Sequence, residues 1–348
     1  MNTNLLKVFL IAATLLLIGV QSEVFCQTTT LVVNSSGGLL NEGLNKAFMN
    51  EFTKQTGIKV ILTSPPSFAK MKTMVDSKNV EWDLAELPPR DKVRAVKQGY
   101  LEKIDYSNIN KPDLYPETFD DYTIGLAYYS TIMAYNTKKI PVGKNPKTWA
   151  EFWNVEKFPG VRTIRDSPDD NLEMALMADG VPPDKLYPLD VERAFKKLDQ
   201  IKPHIKVWWK MGAQPAQLLT DGEVDLATGW DGRFSDVIRK GAPVAMEWGQ
   251  GILKLSCWGI PKGTKHYKET MKLIEFMMQT KYQIEFIKAT YYSGPNKKAV
   301  ESLDPKVFNS ALLGTSPENL KKQILQNTGW WLENADKVEP RWQGWIIK

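Results

Sequence analysis

Cysteine and histidine are nearly absent: the 348 residues hold two of each. His204 and His266 lie far apart with no cysteine at ligand spacing beside them, which excludes a structural zinc site. Long runs of one charge are missing too. Lys plus Arg exceed Asp plus Glu by 45 to 40, a net +5, but the signs are interspersed, so no basic stripe follows a phosphate backbone and a nucleic-acid partner is not expected. Neither a Gly-x-Ser-x-Gly elbow nor a glycine-rich phosphate loop occurs. One long apolar stretch stands out. After Lys7 come thirteen uncharged residues, Val8 to Val20, and then Gln21-Ser22-Glu23. The stretch is short for a bilayer span and fits a secretory signal over residues 1–26, which predicts export to the periplasm. Cleavage after Cys26 would leave Cys257 alone, and no internal disulfide is then available.

What remains is an ordinary soluble composition, 43% hydrophobic and 24% charged. At roughly 100–200 residues per domain the length predicts two lobes. Leu31 to Asn34 reads as a strand. Leu40, Leu44, Ala47, Phe48 and Phe52 recur at helical spacing up to Gly57, and Ile58 to Leu62 extends again, so the chain opens as a βαβ unit of a parallel sheet. Further alternation places strand ends before the loops Ser35-Ser36-Gly37-Gly38, Ser64-Pro65-Pro66 and Pro88-Pro89-Arg90. Ligands of open α/β sheets bind at such ends. Ile124 to Asn136 reads as two adjoining extended runs. Beyond residue 148, where eleven of the twelve tryptophans lie, helices are expected after Thr148 and Ser167 and over 190–200, 214–220 and 267–288, with strands over 224–230 and 253–260. There is no internal repeat and no low-complexity linker.

Several stretches resemble one family. Phe52-Thr-Lys-Gln-Thr-Gly-Ile-Lys-Val-Ile61, Tyr100-Leu-Glu-Lys-Ile-Asp105, Thr148-Trp-Ala-Glu-Phe-Trp153, Asp221-Gly-Glu-Val-Asp225 followed by Trp230, and Pro295-Asn296 are similar, in order and spacing, to the spermidine/putrescine-type periplasmic solute-binding proteins of ABC transporters. The resemblance implies an α/β, two-lobed type II periplasmic-binding-protein fold with two hinge-crossing strands, near Tyr135-Asn136 and Ser256-Cys257. Lobe 1 is then 27–136 with 257–300, and lobe 2 is 137–256 with 301–348. It also implies a monomer that shuts on a small-molecule solute and delivers it to a membrane-embedded permease, without cofactor, metal or catalysis.

By position, the resemblance carries Trp230, Tyr292, Asp170 and Asp166 into the pocket. The departures are as telling. Ser35 and Ser36 stand where the polyamine binders have aromatics, Pro88 and Arg90 where they have serine and tyrosine, and Lys254 and Ser256 where they have tryptophan and aspartate. Losing an acid and gaining cations disfavours a polycation. The expected ligand is a zwitterion or carboxylate such as an ω-amino acid, its acid on Arg90 or Lys254, its amine on Asp170, with Gln214 as a further polar contact. Alternatives left open are spermidine or putrescine itself, iron(III) held by the pairs Tyr128-Tyr129 and Tyr291-Tyr292, and a secreted hydrolase.

Overall fold

The computed structural model describes residues 29–347; the signal segment expected over 1–26 lies outside them. One nine-stranded sheet runs through the molecule in the order β2-β1-β3-β8-β4-β7-β5-β6, with β9 attached to β8. The strands are β1 (Thr30–Asn34), β2 (Lys59–Thr63), β3 (Leu84–Leu87), β4 (Thr123–Asn136), β5 (Arg162–Arg165), β6 (Ile205–Trp209), β7 (Leu226–Trp230), β8 (Val244–Gly259) and β9 (Ile324–Leu325). β1 is flanked in parallel by β2 and β3, as the opening βαβ pattern predicts. β5 is flanked in parallel by β6 and β7 in the same way.

The two parallel triplets are joined by β4 and β8, an antiparallel ribbon of 14 and 16 residues. The two ends of this ribbon are buried in different cores. Ile124, Leu126 and Trp258 pack with Leu31, Phe48, Phe52 and Phe286 in the first lobe. Met133, Tyr135 and Ile252 pack with Trp149, Phe152, Ile164, Trp331 and Trp342 in the second. Ile132 and Ala134, pointing to the opposite side by the period of two, pack with Phe234 and Trp248. The change of core falls at Tyr128–Ser130 of β4, opposite Leu253–Leu255 of β8.

The structure corrects four expectations. The span 124–136 is one strand rather than two runs. The crossings come earlier than Tyr135-Asn136 and Ser256-Cys257: the core changes at the half-buried Tyr128 and Tyr129, where the otherwise buried β4 is interrupted, opposite Lys254 and Leu255. The tail does not pass wholly to the second lobe at residue 301: Leu303 and Leu313 pack with Ile287 and Val300, while Ile324 of β9 and the helix Thr328–Ile346 join the second core. The helix expected over 267–288 is two helices, Tyr267–Met277 and Thr280–Thr290. Among the described residues no helix is long and apolar enough to cross a membrane.

Trp149 opens the helix Trp149–Trp153, which is capped by the Thr148 hydroxyl, and is fully buried in the second core. Its backbone N–H and indole Nε1 donate to the side chain and the carbonyl of Gln250 on β8, at 2.8 and 2.9 Å. Trp149→Ala empties a core site and orphans that carbonyl. It should cost about 3–5 kcal/mol, seen in urea titration as a lower midpoint at unchanged slope.

Candidate functional site

A cavity of about 310 Å³ lies between the lobes. The first lobe contributes Ser36, Pro65, Pro66, Glu86, Pro88, Arg90 and Asp91, from the loops after β1, β2 and β3 and the helix Pro89–Lys97. The second contributes Arg165 at the end of β5 and Asp169 beyond it, Trp230 at the end of β7 and Arg233 beyond it, and Gln326 and Trp331 from the C-terminal segment. Tyr129 and Ser256 line it from the crossing strands. These are the C-terminal ends of both parallel triplets, the ends at which open α/β sheets bind ligands.

The polar wall is mixed in sign, with three arginines and three acids. On the first lobe the buried Glu86 accepts from the Ser36 N–H at 2.6 Å and from the Ser256 hydroxyl at 2.9 Å. Burial raises its pKa, and these donors and nearby Arg233 oppose the rise. On the second, Arg165 lies 3.5 Å from Asp169 and over the Trp230 ring, 5.3 Å from its centroid. Trp230 stands edge-on to both Trp209 and Tyr129. Its buried indole N–H has no partner among the described residues. Arg233 sits in the first turns of the helix Asp231–Arg239 and donates to the Ser36 carbonyl across the cleft at 3.1 Å. Among the described residues it is the lining arginine with no carboxylate within 4.0 Å; Arg90 and Arg165 each have one.

Outside the cavity mouth, Arg90 pairs with Glu339 at 3.1 Å and Arg94 with Asp336 at 3.0 Å, joining the helix Pro89–Lys97 of the first lobe to the C-terminal helix of the second. With the Arg233 bond these hold the lobes together. Each pair is partly exposed and contributes roughly 0–1 kcal/mol.

Of the residues expected from sequence, Ser36, Arg90, Trp230, Ser256 and Tyr292 line the cavity. The other five do not. Ser35 is buried, with its hydroxyl on Asn41. Asp166 accepts from the Trp342 indole at 2.8 Å and pairs with Lys210 at 3.3 Å. Gln214 accepts from the Lys210 N–H at 3.3 Å. Asp170 and Lys254, assigned to the ligand's two ends, bind each other instead: Nζ to Oδ2 is 2.5 Å, with both side chains 2% exposed. Asp170 also precedes its helix, Asn171–Ala178, with φ 70°, so Pro168 lies before the helix rather than in its first turn. Of each tyrosine pair one ring reaches the cavity, Tyr129 and Tyr292, while the Tyr128 hydroxyl donates to Glu117.

Glu86, Arg165, Asp169, Arg233 and Gln326 were not foreseen. Glu86 had a signal, a charge near the C-terminal end of the apolar run Leu84–Leu87. Arg233 had a weaker one, a cation in the turn of helix after a strand end. Arg165 had none, since β5 was not recognised as a strand.

Residues 47–313 match the model of the family described as bacterial extracellular solute-binding protein. The chain belongs to that family. It is 33% identical over 329 residues, 92% of both chains, to the gamma-aminobutyric acid-binding protein of Pseudomonas aeruginosa. It is 29% identical over 296 residues, 80% of this chain and 82% of the relative, to the spermidine/putrescine-binding periplasmic protein of Escherichia coli. An ABC transporter substrate-binding protein from Bradyrhizobium japonicum superposes with TM-score 0.85 at 38% identity, covering 91% of this chain and 99% of that one. The AgtB binding protein of A. tumefaciens in complex with agropinic acid superposes with TM-score 0.84 at 33% identity, over 92% and 99%. The fold is that of the two-lobed type II periplasmic binding proteins, and this extracellular solute-binding protein is the solute-capturing component of an ABC transporter. AttC of Agrobacterium tumefaciens, in an open unliganded conformation, superposes less well, with TM-score 0.68 at 30% identity over 91% and 99%.

Behind the wall, Glu173 holds the Trp331 indole N–H at 2.6 Å and the Tyr187 hydroxyl at 2.7 Å on one oxygen, and its other oxygen has no partner among the described residues. Burial, and then the neighbouring Asp170 and Asp169, push its pKa up to about 8. Between the ordinary value of 4.5 and about 8 the folded chain keeps a proton that the unfolded chain has lost. Stability therefore falls as pH rises through that window, by at most about 1.4 kcal/mol per unit. Glu173→Gln keeps the acceptor and removes the titration. Its melting temperature should gain on the parent's progressively from pH 5 to pH 8; parallel curves would refute the protonated state.

Proposed function

We propose that the cleft captures a small zwitterion, a solute with one carboxylate and one ammonium group such as an ω-amino acid, and presents it to a membrane permease from the periplasm. The protein works by binding and closure, with no bond made or broken. The observation that carries the reading is the pairing of unneutralised groups across the cavity. Arg233 of the second lobe has no carboxylate partner among the described residues, and it faces the Ser36–Glu86 side of the first lobe. A carboxylate on Arg233 and an ammonium on Glu86 would span the lobes, so that ligand and closure stabilise each other. The Trp230, Tyr129 and Tyr292 rings and the prolines of the wall supply an apolar surface for the methylenes between. The gamma-aminobutyric acid-binding relative supports the ligand class.

This assignment puts Arg233 where Arg90 or Lys254 was expected and Glu86 where Asp170 was expected, and keeps the chemistry expected from sequence. Titration with 4-aminobutanoate, followed by tryptophan fluorescence, tests it. Saturable binding is expected, weakened about 10- to 150-fold in Arg233→Ala, the range for a hydrogen bond to a charged group. Undiminished binding by that variant, or no binding of any amino carboxylate by the parent, would sink the reading.

A further inference from the structure

Asp170 and Lys254 are buried behind the cavity wall, yet each is one residue or one ring away from it. Asp169, the neighbour of Asp170, lines the cavity, as does Gln326, whose Nε2 donates to Asp169 at 2.9 Å and to Asp170 Oδ1 at 3.1 Å. Lys254 Nζ lies over the ring of Tyr129, another lining residue, 5.1 Å from its centroid. Both oxygens of Asp170 are satisfied from inside the protein. Oδ1 takes Gln326; Oδ2 takes Lys254 and, at 2.7 Å, the Thr131 hydroxyl, whose oxygen also accepts from Lys254 at 3.0 Å.

Stability does not account for this arrangement. A buried ion pair gains little over an apolar pair of the same size. Asp170 also holds a left-handed backbone, φ 70°, which a non-glycine residue adopts only when its surroundings impose it. What the pair achieves is local neutrality just behind the wall: without Lys254 the adjacent carboxylates Asp169 and Asp170 would have, among the described residues, only Arg165, which pairs with Asp169.

We propose that Lys254 is a specificity-determining residue: an ammonium group built into the hinge that occupies the Asp170 carboxylate and so denies it to the second ammonium of a diamine. The inference rests on the zwitterion reading and explains how the same pocket refuses a solute of equal length carrying two amines. A negative wall attracts any cation that reaches it, and Lys254 is the cation already there. Without it, an outside ammonium becomes the available partner for Asp170.

Lys254→Met and the double variant Lys254→Met/Asp170→Asn test this with 1,4-diaminobutane as probe, by fluorescence titration and thermal shift. The single variant should bind the diamine at least ten-fold more tightly than the parent, and the double variant should show no such gain. A folded single variant without the gain, or an equal gain in the double variant, overturns the proposal. Should the single variant not fold alone, Lys254→Ala in n-butylamine gives a second readout: stabilisation beyond that of the parent is expected, and its absence overturns the proposal. The parent's own preference between 1,4-diaminobutane and 4-aminobutanoate reports separately on the zwitterion reading.

Discussion

The molecule is organised around a single antiparallel contact, the stretch where β4 and β8 exchange one core for the other. Tyr129 and Lys254 are paired there, and both face matters of binding rather than of the core: the ring enters the cavity wall and the ammonium reaches the Asp170 carboxylate. Because each strand is continuous through this point, the two parallel triplets are fixed in order and direction around one cleft, with the C-terminal ends of both opening into it. Everything that touches a solute is placed by that constraint.

The charges of the site then divide by depth. Deep groups are compensated within the protein: Lys254 with Asp170, Asp166 with Lys210 and Trp342, Glu173 with its indole and phenol donors. Groups at the cavity face are compensated only in part. Arg165 shares Asp169, Glu86 leans on a hydroxyl and a backbone N–H, and Arg233 relies on a carbonyl across the cleft. A ligand gains most where compensation is incomplete. On that ground the proposed contacts are the lobe-bridging pair Arg233 and Glu86, rather than the more numerous acids of the Asp166–Glu173 stretch.

Much of the fold was legible in the chain because it depends on local periodicity. The opening strand, helix and strand, the capped helix at Trp149 and the strand ending at Trp230 each carry their pattern within about a dozen residues. The crossing point was not legible, since the core that each half of Thr123–Asn136 enters is chosen by residues far away. Half of the expected site residues line the cavity. Ser36, Arg90, Trp230, Ser256 and Tyr292 follow from strand ends and positional resemblance. The mutual capture of Asp170 and Lys254 joins residues 84 positions apart, and nothing in either neighbourhood announces it. A cation and an acid expected at opposite ends of the ligand were each other's partner. The proposed ligand chemistry is the one expected from sequence because removing one of each leaves the balance of the wall unchanged.

The central claim is that this balance admits one ammonium and one carboxylate. Isothermal titration calorimetry of the unmodified protein with 5-aminopentanoate and with 1,5-diaminopentane isolates it, because the two solutes share a five-carbon chain and differ in a single terminal group. The account predicts a binding heat that saturates for the amino acid and none resolved for the diamine under the same conditions. Equal or tighter binding of the diamine would contradict it.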